Sequence, residues 1–303
     1  MSPHVARKSL TQQEADLRQD VFWGVYVIDH LWSLHLGRPF RINMEDVTVA
    51  VPSGRNTLQS PQLWIPYEYP ESAQTCPVLA DYTDELHRQR VLLVKIVVPL
   101  GYALYGNIRI SPVKLQAINA HIVSKLLDWK AGLPANLQVD ANSHGERYLP
   151  MQYHQALIHA HRPWMSRSLI QPNLPRGPGS KHAQATRIES ASSIAGLVQL
   201  YESRYALRRT NIQGVGTVCS AALLLTFATV SHFNTASQQD LTVQLSACFR
   251  ALGEFGAARE SAKRARDFLL LLQGRGQRQA TSTKVRRASQ AMPNDDLTSM
   301  KRH

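Results

Sequence analysis

Three histidines in one short stretch, His154, His159 and His161, are this sequence's nearest approach to a metal site. Imidazole is a common ligand of zinc, copper and nickel, but a helix gathers only positions three or four apart onto one face. Spacings of five and two send these rings to different faces. The expectation is no metal site: one ring hydrogen-bonds inside the fold and the others face solvent. Cys76, Cys219 and Cys248 are far apart and odd in number, so they build neither a disulfide framework nor a C-x2-C zinc module, and a reducing compartment fits them best. The chain contains no G-x4-G-K-[ST], no G-x-G-x-x-G after a strand, no H-E-x-x-H and no G-x-S-x-G. No catalytic, cofactor-binding or metal-ligating residue is therefore assigned, and the chain is read as a non-enzyme.

Asp29 is the one charged group whose position demands an explanation. It lies in a very apolar stretch, where an ionised carboxylate is costly unless paired. Arg18 lies on the same helical face about three turns away, and Arg38 stands just beyond the helix end. An Asp29–Arg38 bridge is expected, with catalysis the lesser alternative. At the other end of the chain Lys284, Arg286 and Arg287 form a loose basic cluster, and Arg286-Arg287-Ala288-Ser289 matches a basophilic-kinase pattern. Phosphorylation of Ser289 would remove about two charges and weaken contact with polyanions.

The elements that must position these residues read as helices. Asp16 to Leu36 carries Leu17, Val21, Gly24, Ile28, Leu31 and His35 on one stripe and Phe22, Val25, Trp32 and Leu36 on the next, so it is expected to be largely buried. Gly37 can take the left-handed C-terminal position and Pro39 cannot continue the ladder. Residues 38 to 77 form a long connector punctuated by six prolines, with Trp64, Tyr67 and Tyr69 packed back on the helices. Helices follow from about Leu79 to Gly106, kinked at Pro99, and from Pro112 with Ser111 as N-cap to a close at Gly132. Tyr148 to His161 is a short helix, and 162 to 180 a loop. Helical stripes then run from Ile188 to Tyr205, from about Gln213 to His232 and from Leu241 to Leu252. Gly253 and Gly256 separate the last of these from Ala257 to Leu272.

At 303 residues, 44% hydrophobic and 18% charged, the chain has the composition of a globular body. This excludes a collagen-like repeat, a disulfide scaffold and wholesale disorder. Much of the net charge of +12 comes from the end of the chain, where seven Lys/Arg after Gly274 face only Asp295 and Asp296. The excess left on the body is too mild for a dense nucleic-acid-binding face. Asn211 to Gln239 has no formally charged residue, but its apolar run falls short of the about 20 residues needed to span a bilayer, and it is read as a buried core helix. The N-terminal residues show no secretion or import signal. The expected architecture is all-α: a multi-helix bundle or array over 10–273, with a long proline-rich connector and a disordered basic tail over 274–303.

The segment from Leu17 to Pro52 resembles the signature of the fungal-specific transcription factor domain, the regulatory region of zinc binuclear cluster regulators. The residues that carry the resemblance are Arg18, Phe22, Trp23, Asp29, Gly37, Arg38, Pro39, Glu45, Asp46, Val47 and Pro52. Three later stretches follow in family order: Tyr148 to Met165, with His161-Arg162-Pro163; Leu197 to Arg209; and Leu245 to Gln273. The latter half is most similar to nitrogen-assimilation regulators.

The resemblance implies a nuclear, all-helical module that controls transcription by RNA polymerase II through the transcription machinery or other protein partners, with a small-molecule effector in some members. Family members usually carry a six-cysteine zinc cluster that reads the DNA major groove. Zinc and DNA contact are thus implied only for a module whose cysteines are not found here. The family domain also begins some helices earlier, so the chain reads as N-terminally truncated. Apolar surface on the Asp16 to Leu36 helix should then be left uncovered and favour self-association or a partner. Two alternatives remain: a helical small-molecule-binding protein or enzyme, resting on the histidines and Asp29, and a membrane-associated helical protein, resting on Val215 to Val230.

Overall fold

The computed structural model describes residues 11–52, 63–64, 79–80, 82–107, 110–138, 148–165, 180–203, 205–231 and 238–290. Eight helices dominate them: α1 (Gln12–Leu36), α2 (Thr83–Tyr105), α3 (Pro112–Ala131), α4 (Tyr148–His161), α5 (Ser180–Glu202), α6 (Ile212–Ser231), α7 (Gln238–Ala258) and α8 (Glu260–Gln290). The fold is an all-α multi-helix array. Among the described residues the one sheet is minimal: β1 (Leu63–Trp64) and β2 (Leu79–Ala80) pair antiparallel, Leu63 opposite Ala80 and Trp64 opposite Leu79. Leu79 is thus a strand residue and not the start of α2 that its sequence neighbourhood suggests. The rings of Tyr67 and Tyr69 and most of the connector's prolines lie outside the described residues.

Local chemistry explains the helix ends. Thr11 and Glu14 form a reciprocal capping box at the start of α1. Gly37 closes that helix at φ 67°, and its N–H and that of Arg38 both donate to the Ser33 carbonyl. On α3, Ser111 Oγ accepts from the Lys114 amide with Pro112 in the first turn. α2 runs through Pro99, which sits on its solvent side.

One expectation fails at the other end of the chain. Gly253 and Gly256 do not separate helices: both lie inside α7, which breaks only at Arg259. They are where α8 comes close, since a Cβ on Gly253 would meet the Arg266 guanidinium at 3.2 Å and one on Gly256 the Lys263 backbone at 3.5 Å. Of the tail expected to be disordered, residues 274–290 continue α8 to Gln290, and 291–303 lie outside the described residues. Its Gln, Arg, Ala and Lys residues are good helix formers. Gly276 also brings it against α6, where a Cβ would meet Val230 at 2.8 Å.

The core has three parts. α5, α6, α7 and α8 pack around Ile194, Val198, Leu225, Leu252 and Phe255. A second cluster joins α2 and α3 through Val97, Leu100, Ile122 and Leu126. A third joins α1 to α2 through Trp23, Tyr26, Val91, Val94 and Val98. α6 is long and apolar enough to cross a membrane by length and composition. In this fold it packs against α5, α7 and α8 with about half of its residues buried, while Ile212, Leu223 and Phe227 stay about half exposed.

α4 lies between the first two clusters. Tyr148, Met151 and Ile158 enter one, and Leu149, Tyr153, Ala156, Leu157 and Ala160 the other. All its residues except Pro150 and His154 are buried, so polar side chains on it must find partners inside the protein.

Candidate functional site

The segment after α1 folds back as a strap across α1 and α2, and the motif residues build it. Asp29 Oδ2 accepts from the backbone amides of Arg41 and Ile42, both at 3.0 Å. The expected bridge to Arg38 is absent among the described residues, and the Arg38 side chain is exposed. The turn made by Gly37 and Pro39 aims backbone N–H groups, not a guanidinium, at the carboxylate. Such charge-assisted bonds satisfy it as well as an ion pair would. Trp23, 1% exposed, donates from Nε1 to the Ala50 carbonyl at 2.6 Å, and Gln19 Nε2 donates to the same oxygen. The far end of the strap is thereby held, and Pro52 beside it is buried.

Between these anchors Phe40 enters the core. Its ring lies 4.2 Å from that of His30 and 5.1 Å, edge-on, from that of Tyr102, directly over Gly101. A Cβ at Gly101 would collide with it. His30 is sandwiched between Phe40 and Tyr26, with Nδ1 at 2.9 Å from the Tyr26 carbonyl. That contact makes Nδ1 the protonated nitrogen of a neutral ring. Burial holds the His30 pKa below its ordinary value, outweighing the Tyr26 carbonyl and the Asp29 carboxylate.

The other motif residues are less engaged. Phe22 meets Trp23 edge-on at 5.5 Å. Asp46 sits in an exposed 3-10 turn, Met44–Asp46, and Arg18 and Pro39 are also exposed. His161 is buried with Nδ1 on the Leu157 carbonyl, Arg162 donates to the Tyr105 hydroxyl, and Pro163 is buried at the start of a 3-10 turn.

A second constellation is a cavity of about 40 Å³ where α1, α4 and α6 meet, lined by His35, Gln152, Gln155, His159 and Thr217, among others. Gly216 creates the approach, since the His35 ring lies 3.2 Å from where its Cβ would be. Gln155 Nε2 stands 2.9 Å from His159 Nε2 and 3.4 Å from Ser220 Oγ. The Tyr148 hydroxyl donates to Gln213 Oε1, and Thr217 Oγ1 to the Gln213 carbonyl. The side-chain oxygens of Gln152 and Gln155 are buried and have no partner among the described residues. His159 is driven down to about 3, mainly by burial and further by His35, Arg162 and Arg187. Burial, then Arg162, lowers His35 as well.

The three histidines therefore part company, but none faces solvent as expected. His154 is half-buried beside Tyr153, His159 enters the cavity and His161 faces His182. Among the described residues no group of three His, Cys, Asp or Glu stands where it could hold a metal. Sequence reasoning missed the cavity because it followed histidine spacing. The legible signal was Gln152, Gln155 and His159, at i, i+3 and i+7, one polar stripe along α4.

The most elaborated local structure of the helical body is thus the strap across α1 and α2. Residues 2–74, which include α1 and the strap, match the fungal specific transcription factor domain, so the resemblance read from the sequence holds. The chain is 26% identical over 217 residues to the nitrogen assimilation transcription factor nirA of Emericella nidulans, covering 67% of this chain and 23% of that protein. It is 27% identical over 212 residues to the nitrogen assimilation transcription factor nit-4 of Neurospora crassa, covering 66% and 18%. The chain thus spans under a quarter of the length of these relatives. No solved structure matches it.

Proposed function

We propose that this chain is a regulatory domain of a fungal zinc-cluster transcription factor. It controls transcription by RNA polymerase II in the nucleus through contacts with other proteins and performs no catalytic step of its own. The observation that supports this reading is the fall of the family match on α1 and the strap. The motif's Trp, Asp and Gly-Arg-Pro hold one loop against two helices and surround no reactive centre. Packed helices tied by a strap have discrete alternative arrangements, and a partner that prefers one of them shifts the population. DNA contact belongs to a zinc-cluster module, for which the described residues offer no ligands.

The test inserts the chain between a heterologous DNA-binding module and an activation region in a fungal reporter strain. Reporter output should depend on the insert and change when Asp29→Ala frees the strap. A fluorescent fusion should accumulate in nuclei. Output equal to that with an inert linker of the same length, for both wild type and variant, would refute the regulatory reading.

A further inference from the structure

We propose that the outward face of α8 is a docking surface for an acidic segment of another protein, one whose carboxylates are interspersed with large apolar side chains. The inference names the chemistry of the protein contacts on which the regulatory reading rests. Its test reads binding by the purified chain, so either can fail without the other.

α8 has two faces of different character. Ala262, Ala265, Leu269, Leu272 and Gly276, at spacings of 3, 4, 3 and 4, form the inward face. Ala262 and Leu269 are buried on it, and Gly276 brings the helix to Val230 of α6. Arg264, Phe268, Leu271, Arg275 and Arg278, at spacings of 4, 3, 4 and 3, lie on the opposite side, and all five are exposed. Phe268 is 59% and Leu271 63% exposed, with Leu270 beside them at 45%. Three large apolar side chains within one turn leave area that a partner can cover, at about 25 cal/mol per Å².

Charge selects the partner. From Phe268 to Asn294 the chain has five Lys/Arg (Arg275, Arg278, Lys284, Arg286 and Arg287) and no Asp or Glu, and α8 runs on through these cations to Gln290. The two carboxylates of α8 lie upstream and already stand beside cations, Glu260 at 3.6 Å from Arg264 and Asp267 at 3.4 Å from Arg266. The helix therefore offers an apolar turn followed by a basic stretch on one preformed element, which spares a partner the cost of ordering it. A nucleic acid would meet the cations but leave Phe268, Leu270 and Leu271 in water. Lying in a membrane surface takes an apolar face along most of a helix, and here the exposed apolar side chains span a single turn. An acidic segment with Leu or Phe between its carboxylates engages both parts. A second copy of this chain has no such segment. Its densest acidic run, Asp81-Tyr82-Thr83-Asp84-Glu85, leads into α2, where Glu85 already accepts from Arg88 and Gln89.

The test titrates the purified full chain into a fluorescein-labelled peptide in which Asp and Glu alternate with Leu and Phe, read by anisotropy. Comparators are the same peptide with Asn and Gln for its acids, the same peptide with Ser for its apolar residues, a labelled DNA duplex and phosphatidylserine vesicles. The acidic apolar peptide should bind most tightly, and salt at about 0.5 M should weaken it. Arg275→Glu with Arg278→Glu should weaken it about tenfold, by reversing two surface charges. Phe268→Ser with Leu271→Ser should also weaken it about tenfold, by removing the apolar area. Val21→Lys, on the exposed face of α1, should leave it unchanged. The four α8 positions are exposed, so both double variants should keep the wild-type helicity by circular dichroism. The wild-type arm decides even if a variant is lost: no binding of the acidic apolar peptide, or equal or tighter binding of any comparator, overturns the proposal. Undiminished binding by either folded double variant overturns it as well. Dimers that Phe268→Ser with Leu271→Ser abolishes would give this face to a second copy and overturn it too.

Discussion

Asp29→Ala would leave the amides of Arg41 and Ile42 without their acceptor, and neither can bond the new side chain. Because the carboxylate is 14% exposed, water can partly replace it. The expected loss is therefore about 1–2 kcal/mol, within the range for a charged acceptor, read by urea denaturation. Asp29→Asn keeps one acceptor oxygen and should lose less. Phe40 sets a second test. Gly101→Ala places a methyl where the Phe40 ring sits, and overpacking of this kind costs about 1–3 kcal/mol. A variant as stable as wild type would show that the strap does not pack as described. The motif residues are legible in the sequence as a pattern, but their roles are not. Charge pairing is visible in sequence and points Asp29 at Arg38, whereas two backbone amides in a turn carry no letter of their own.

At the scale of elements, α1 reverses the expected burial. Leu17, Val21, Val25 and Ile28, placed on the two buried stripes, are each more than half exposed, and the helix buries Trp23, Tyr26, Val27, His30 and Leu34. Apolar residues surround this helix, so periodicity alone offers two faces. The aromatic face wins because Trp23 and Tyr26 bury more area than valines and Trp23 also finds the Ala50 carbonyl. The uncovered stripe predicts self-association: size-exclusion chromatography of the pure chain should show dimers or larger species that bind hydrophobic dye. Val21→Lys with Ile28→Lys should shift it toward monomer while changing stability by no more than about 0.5 kcal/mol. A dye-excluding wild-type monomer contradicts this. At the other end, Gly276→Leu should drive α8 from Val230 and raise amide exchange in the last turns of α8 without unfolding α7.

For the molecule as a whole, the buried histidines predict an acid limit. Burial lowers His30, His35, His87 and His161, takes His154 to about 4 and His159 to about 3, all from an ordinary value of 6.5. Below pH 6.5 the unfolded chain takes up protons that the folded chain refuses, so stability must fall as pH falls. For His159 alone the slope is about 1.4 kcal/mol per pH unit between 6.5 and about 3. Urea denaturation at pH 7.5, 6.5, 5.5 and 5.0 should show a plateau above 6.5 and a decline below it. His159→Gln should flatten the decline by about one proton's worth. Stability that stays constant down to pH 5 would mean these rings are not buried as found.

The sequence by itself determined that the chain is helical, where most helices begin and end, and which family the motif resembles. Those features rest on caps, prolines, glycines and periodicity, all of which act over a few residues. Only the tertiary structure decided which face of α1 is inside, that Gly253, Gly256 and Gly276 are contacts instead of breaks, and that Gln152, Gln155 and His159 share a cavity with His35 from more than a hundred residues away. Burial and hydrogen-bond partnership depend on what the rest of the chain brings alongside, and no local pattern in the sequence contains it.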